Sequence, residues 1–262
     1  MPSIDVRGWK VHYEEFGAPE LPPVVLVHGL MGEASTVASL AARLSANFRV
    51  IAPDALGHGG SARPQSFTLE DQGAMLTGLV AALGYESAAM VGMSMGSYLV
   101  AQAAILDSQR VSHLVLVVTK AQGTTSSTAA YAARMGYDLT ALAPEEAMAL
   151  VSQALWSPHT SQDRREEILK EMVVSDPLTP KEQASVERSL AGFDLRPAMH
   201  TITAPTLVVS GLDDGLNPPE AGREVADCIP GARFEVYEHS GHMLAYEEAD
   251  RLTADITGFL SA

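Results

Sequence analysis

The chain has 262 residues, enough for one large domain or two small ones, and 47% of them are apolar, so it can bury a sizeable core. Its 17 basic residues against 32 acidic ones leave a formal charge of -15, which argues against nucleic acid or an anionic membrane surface as partner. The single cysteine, Cys228, excludes an internal disulfide framework and fits a reducing, cytoplasmic setting; residues 1–17 hold no apolar export signal, and no later stretch approaches the roughly 18 apolar residues of a membrane span.

Residues 4–6 and 9–13, joined through Gly8, read as a leading hairpin, and Pro22-Pro23 then launches an apolar strand over 24–27. From there the pattern alternates: a helix over 36–46, a strand over 49–52, a helix over 69–83, a strand over 88–91, a helix over 98–106 and a strand over 114–118. Such alternation requires right-handed crossovers, and so a mostly parallel α/β sheet with helices on both faces. Residues 121–199 break the pattern with helical candidates alone, at 127–135, 144–155, 162–173 and 180–191, and are predicted to form an inserted, all-helical lid. The alternation resumes with a strand over 206–210, a helix over 218–227, a strand over 233–237 and a closing helix over 247–260. The predicted organisation is a core of residues 1–120 and 200–262 interrupted by that lid.

Gly92-Met93-Ser94-Met95-Gly96 is a G-x-S-x-G pentapeptide at the point where the strand over 88–91 turns into the following helix. A corner sharp enough to lift a serine hydroxyl out of a sheet needs small residues two positions to either side, and Gly92 and Gly96 supply them. A serine is a poor nucleophile until a histidine takes its proton and a carboxylate orients that histidine. His242, in Ser240-Gly241-His242, follows the strand over 233–237; His239 shares the loop, but the Gly241 approach suits a side chain turned inward at 242. For the acid, Gly211-Leu212-Asp213-Asp214-Gly215 places two carboxylates at the carboxyl end of the strand over 206–210, and the residues by themselves leave both open. The chain order Ser, Asp, His belongs to one family among the unrelated folds that carry such triads.

These motifs resemble those of the alpha/beta-hydrolase family, and the likeness covers nearly the whole chain. His28-Gly29-Leu30-Met31-Gly32 resembles the family's H-G-x turn, which implies that the backbone N–H of Leu30 joins that of Met95 as an oxyanion hole. Asp54 to Ser61 resembles the D-x-x-G-x-G-x-S loop of the smaller bacterial members. Gly211 to Asp214, with Pro218 following, matches the common G-x-x-D spacing, which implies Asp214 as the acid; Ser240-Gly241-His242 followed by Glu247 resembles the histidine loop. Ser97 stands where many members carry another glycine. The serine nucleophile argues against the haloalkane dehalogenases and epoxide hydrolases of this family, which use aspartate. His28 reads as a residue that shapes the oxyanion turn and His58 as a loop residue. With no cysteine cluster, no H-x-x-x-H pair and no G-x-x-x-x-G-K-[ST] loop, neither a catalytic metal nor another cofactor is expected.

The resemblance implies a serine hydrolase that acts through an acyl-enzyme on a small or medium apolar ester, lactone or thioester. Two alternatives share the same triad: a carbon-carbon bond hydrolase, perhydrolase or lyase, and a ligand receptor of slow turnover. Tyr131, Met135, Tyr137 and Trp156 are the lid candidates for substrate contact, and the same residues suit packing of lid helices against one another. The partner is a small molecule; sequence leaves the oligomeric state open.

Overall fold

A computed structural model describes residues 2–262. The leading hairpin forms as β1 (Ser3–Val6) and β2 (Trp9–Phe16) around a tight Arg7-Gly8 turn, with both residues at positive φ. β3 (Pro23–Val27), β4 (Arg49–Pro53), β5 (Ala88–Met93), β6 (Val111–Val117), β7 (Thr206–Gly211) and β8 (Arg233–Tyr237) complete an eight-stranded sheet in the order β1-β2-β4-β3-β5-β6-β7-β8. β1 pairs antiparallel with β2 and β2 with β4, and every other pair is parallel. The chain goes from β3 outward to β4 and then returns past β3 to β5. That reversal opens a crevice beyond the carboxyl ends of β3 and β5, where ligands gather in open sheets.

The central strands bury both faces, so their apolar runs split by alternation into two cores. Val25, Val27, Ile51, Met90, Leu114, Leu116 and Val208 face α2 (Leu69–Ala82), α3 (Met95–Leu106) and α9 (Pro219–Cys228). Val24, Leu26, Val50, Val91, Val115, Val117 and Val209 face α1 (Ala38–Leu44) and α11 (Ala249–Leu260). Capping explains where α2 begins: the Thr68 hydroxyl accepts from the Asp71 amide at 3.1 Å and the Asp71 carboxylate accepts from the Thr68 amide at 2.9 Å.

Several predicted boundaries moved: β2 runs on to Phe16, β6 begins at Val111, and three helices start or break elsewhere. The helix expected over 36–46 starts as a 3-10 turn, Ala34–Val37, because the Thr36 hydroxyl bonds the Glu33 carbonyl and tightens the first turn; α1 then ends at Leu44. α3 starts at Met95 rather than 98, since β5 turns into it without a loop. The closing helix is broken at Glu248 into α10 (Leu244–Glu247) and α11, and the Glu248 carboxylate accepts from the Ser240 hydroxyl at 2.5 Å.

Between β6 and β7 lie α4 (Ser127–Arg134), α5 (Pro144–Leu155), α6 (Gln162–Glu171), α7 (Pro180–Leu190) and the short α8 (Arg196–Met199). The two ends of this segment run side by side, with Gly192 N–H donating to the Gly123 carbonyl at 2.9 Å and Gly123 N–H to the Phe193 carbonyl at 2.8 Å. α8 packs on α3 and α9, and its Met199 is buried in the core. Among the described residues no helix is long and apolar enough to cross a membrane.

Candidate active site

Ser94 occupies the corner between β5 and α3 at φ 50°, ψ -116°, a strained conformation for a residue with a Cβ. Close packing enforces it. A Cβ on Gly92 would lie 2.3 Å from the Gly96 carbonyl oxygen, and one on Gly96 would lie 2.3 Å from that of Val27, so neither position accepts a side chain. The hydroxyl of Ser97, buried one turn on, lies 2.5 Å from the Ser94 carbonyl oxygen and 2.8 Å from the Thr119 hydroxyl. The departure at 97 thus ties the elbow to the residues after β6.

The three residues predicted to act together meet. His242 Nε2 lies 2.8 Å from Ser94 Oγ, and His242 Nδ1 lies 2.8 Å from Asp214 Oδ2. Asp214 is the inner of the two candidate carboxylates, its side chain fully buried. Its Oδ1 accepts from the backbone amides of Leu216 at 2.8 Å and Asn217 at 2.9 Å, which leaves Oδ2 to the imidazole. An acceptor at Oδ2 places the proton on Nδ1 and frees the Nε2 lone pair for the Ser94 hydroxyl. Asp213 points elsewhere and accepts from the Ser157 hydroxyl at 2.6 Å. His239 is exposed and stacks edge-on against His159, with ring centroids 4.6 Å apart.

The H-G-x turn lies against the elbow: a Cβ on Gly29 would sit 3.6 Å from Ser94 Cβ. His28 holds this turn from behind. Its Nε2 accepts from the Ala55 amide at 3.1 Å, so Nδ1 carries the proton and donates to the Gly29 carbonyl at 2.7 Å. Complete burial keeps His28 neutral by pushing its pKa below the usual histidine value. Asp54 anchors the neighbouring loop, accepting from the Ala34 amide at 2.7 Å, the Gly60 amide at 2.8 Å and His12 Nδ1 at 2.7 Å. Met95 opens α3, so its amide is among those that a helix leaves without an internal acceptor, at the positive end of the dipole. Among the described residues the Leu30 and Met95 amides donate to no other loop or side chain. No group of three histidine, cysteine or acidic side chains among the described residues could hold a metal ion.

Residues 22–249 match the family described as alpha/beta hydrolase fold. The chain belongs to this family. Among its relatives is the pimeloyl-[acyl-carrier protein] methyl ester esterase of Aliivibrio salmonicida, 28% identical over 247 residues that span 90% of this chain and 91% of that protein. The crystal structure of the enol-lactonase from Burkholderia xenovorans superposes with a TM-score of 0.85 at 27% identity, covering 100% of both chains. A thermophilic esterase from Thermogutta terrifontis, solved with malate bound, gives a TM-score of 0.82 at 26% identity, covering 100% of this chain and 98% of the other.

In this alpha/beta-hydrolase the residues named as lid candidates take different places. Tyr131 packs where a Cβ on Gly215, next to Asp214, would meet its ring at 2.8 Å. Met135 and Tyr137 are half exposed just past the C-terminal end of α4. Trp156 is buried in the core that holds Met93 and Met243, the neighbours of Ser94 and His242, with the Arg165 guanidinium 5.8 Å from its ring. Asn217, Tyr98 and Ser127, whose side chains join beneath the acid loop, escaped the sequence reading. Asn217 donates to the Tyr98 hydroxyl at 2.8 Å and the Val118 carbonyl at 2.7 Å, and it accepts from the Ser127 hydroxyl at 2.7 Å, so it joins α3, β6 and α4 beneath Asp214. Burial, with Asp214 adding to it, pushes the Tyr98 hydroxyl above the usual phenol range. The available signal was a polar Asn217 three residues after an acid-loop aspartate, in the spacing of a side-chain-capped turn.

Proposed function

We propose that the protein is a serine hydrolase that works through an acyl-enzyme on small or medium apolar esters, lactones or thioesters. The family and the esterase and lactonase relatives support a hydrolase of ester-like bonds. The single observation that carries the finer reading is the continuous hydrogen-bonded chain Ser94–His242–Asp214, with both links at 2.8 Å.

In this reading Ser94 Oγ attacks the acyl carbonyl as its proton passes to His242 Nε2, and Asp214 holds the imidazole by Nδ1–H and balances the charge it gains. The carbonyl oxygen becomes an oxyanion facing the amides of Leu30 and Met95, each such donor contributing about 3 to 4 kcal/mol to the barrier reduction in comparable enzymes. His242 then gives its proton to the departing alcohol or thiol, and a water activated by the same nitrogen releases the acid and restores Ser94. The helical segment inserted between β6 and β7 acts as a lid, and Tyr131 is one of its residues packed against the acid loop.

Turnover of p-nitrophenyl acetate and butyrate, with covalent labelling by a fluorophosphonate, tests the proposal. The wild type hydrolyses both esters in multiple turnovers and takes up one label on Ser94, and Ser94→Ala does neither while keeping its melting temperature. Retained turnover in Ser94→Ala, or a wild type that is labelled once and never releases acyl product, overturns it.

A further inference from the structure

Glu247 and Asp213, the acidic residues of the two triad loops that the reaction leaves unused, converge on one buried lid residue. Ser157, fully buried after the end of α5, donates its amide to Glu247 Oε1 at 2.9 Å and its hydroxyl to Asp213 Oδ2 at 2.6 Å. Thr160 adds a second donor to the same Glu247 oxygen at 2.6 Å. The other oxygen, Oε2, accepts from the amide of Gly241 at 2.7 Å, immediately before His242. On the far side of the histidine the Met243 amide donates to the Leu155 carbonyl at 3.2 Å, and the Gly215 amide, beside Asp214, donates to the Ala154 carbonyl at 3.0 Å. The contact is close enough to require Gly241, since a Cβ there would lie 2.7 Å from the Leu155 carbonyl oxygen and 2.8 Å from the Ser157 nitrogen.

We propose that Glu247 is a positioning residue for His242: its carboxylate clamps the histidine loop to the edge of the lid, so that the imidazole reaches Ser94 only when lid residues 154–160 are docked. The inference rests on the reading of Ser94, Asp214 and His242 as the reacting groups. Three donors meet the two oxygens and no acceptor does, so both oxygens must act as acceptors. A carboxylate satisfies this. A carboxamide does not, since turning its oxygen toward Ser157 and Thr160 sets its NH₂ against the Gly241 N–H. Glu247 does not open the closing helix predicted over 247–260: it ends the short α10, and its oxygens go to the lid and to the histidine loop. Both residues flanking His242 are tied to this contact through their amides, so its loss releases the backbone that aims the ring.

The test is Glu247→Gln, with turnover of p-nitrophenyl acetate expressed per active site titrated by fluorophosphonate. A merely structural role lowers the melting temperature and the number of labelled sites but leaves the turnover of each site unchanged. The clamp predicts a kcat per labelled site about 10 to 100-fold lower, an initial labelling rate lower by a similar factor, and a KM within about threefold of wild type. Per-site kcat within twofold of wild type overturns the proposal and leaves the catalytic reading standing; a wild type that neither turns over nor labels overturns both. Should Glu247→Gln fail to fold, Thr160→Ala decides, since it removes one lid donor from the clamp and leaves the carboxylate. A per-site loss of about threefold or more supports the proposal and an unchanged value refutes it.

Discussion

Replacing Gly96 with alanine probes how tightly the elbow is built. The added Cβ would stand 2.3 Å from the Val27 carbonyl oxygen and 2.7 Å from that of His28, both backbone atoms at the end of β3 that no rotamer change can move. Ordinary contact begins near 3.4 Å, so the start of α3 and the end of β3 must part by about 1 Å. Overpacking of this kind costs about 1 to 3 kcal/mol. In a chain of this size each kcal/mol lowers the melting temperature by about 2 to 4 °C, so a drop of about 2 to 12 °C is expected. The catalytic loss should exceed that proportion, because the Leu30 amide follows the end of β3 and the Met95 amide opens α3, and parting these elements widens the gap between the two amides proposed to hold the oxyanion. A displacement of about 1 Å in such a constellation costs on the order of 100-fold in rate. Scanning calorimetry and per-site ester turnover measure the two effects. Gly258→Ala in α11 serves as control, since a Cβ there meets nothing within 4 Å and the helix should gain up to about 1 kcal/mol. A Gly96→Ala variant that melts within 1 °C of wild type at undiminished turnover would refute the argument.

Asp214→Asn should keep the fold, since its Oδ1 still accepts from Leu216 and Asn217, but its NH₂ would face His242 Nδ1 and force the proton onto Nε2. Turnover should fall on the order of 10⁴-fold, as a wrong tautomer does in triads of this kind; a loss below tenfold would contradict the assigned geometry. Stability should decline in acid because of His58, whose pKa is pushed down to about 3, chiefly by burial and then by the neighbouring His28 ring. The unfolded chain takes up a proton on this residue below about pH 6.5 and the folded chain does not. The contribution is therefore intact above about 6.5 and is lost at up to about 1.4 kcal/mol per pH unit as pH falls toward 3, with His28 adding in the same direction. Urea unfolding of the wild type and of His58→Phe between pH 4.5 and 7 checks this: the variant should show a flatter slope by about one proton, and parallel slopes would count against it.

The core was legible because its strands are short apolar runs between helices of ordinary length, and both signals survive in the sequence. The helix boundaries that moved did so where a side chain or a close contact intervened. Thr36 reached back to the Glu33 carbonyl and turned the first helical turn into a 3-10 turn, Glu248 left the helical series to bond Ser240, and the elbow brought the start of α3 forward from residue 98 to Met95. Propensity is blind to such contacts. Trp156 illustrates the same limit in the helical segment between β6 and β7. A large apolar residue on a helix end suits a pocket wall or a core, and which of these it joins depends on where the segment docks; here it joins the core beneath the histidine loop.

The choice between Asp213 and Asp214 turns on what each carboxylate has left to offer. One oxygen of Asp214 is consumed by two amides that follow it in sequence, a local turn that fixes the side chain before any partner arrives. The remaining oxygen therefore stands in one place, which orienting an imidazole demands. Asp213 has no such turn among the described residues, and its oxygen goes to Ser157, 56 positions away, just after α5. Spacing to Pro218 points to Asp214 by resemblance, and the physical selector is the pair of downstream amides. Any relative that keeps the aspartate but cannot form this turn, for instance with proline two residues after it, should lose the fixed oxygen and with it the tautomer that lets the histidine act as a base.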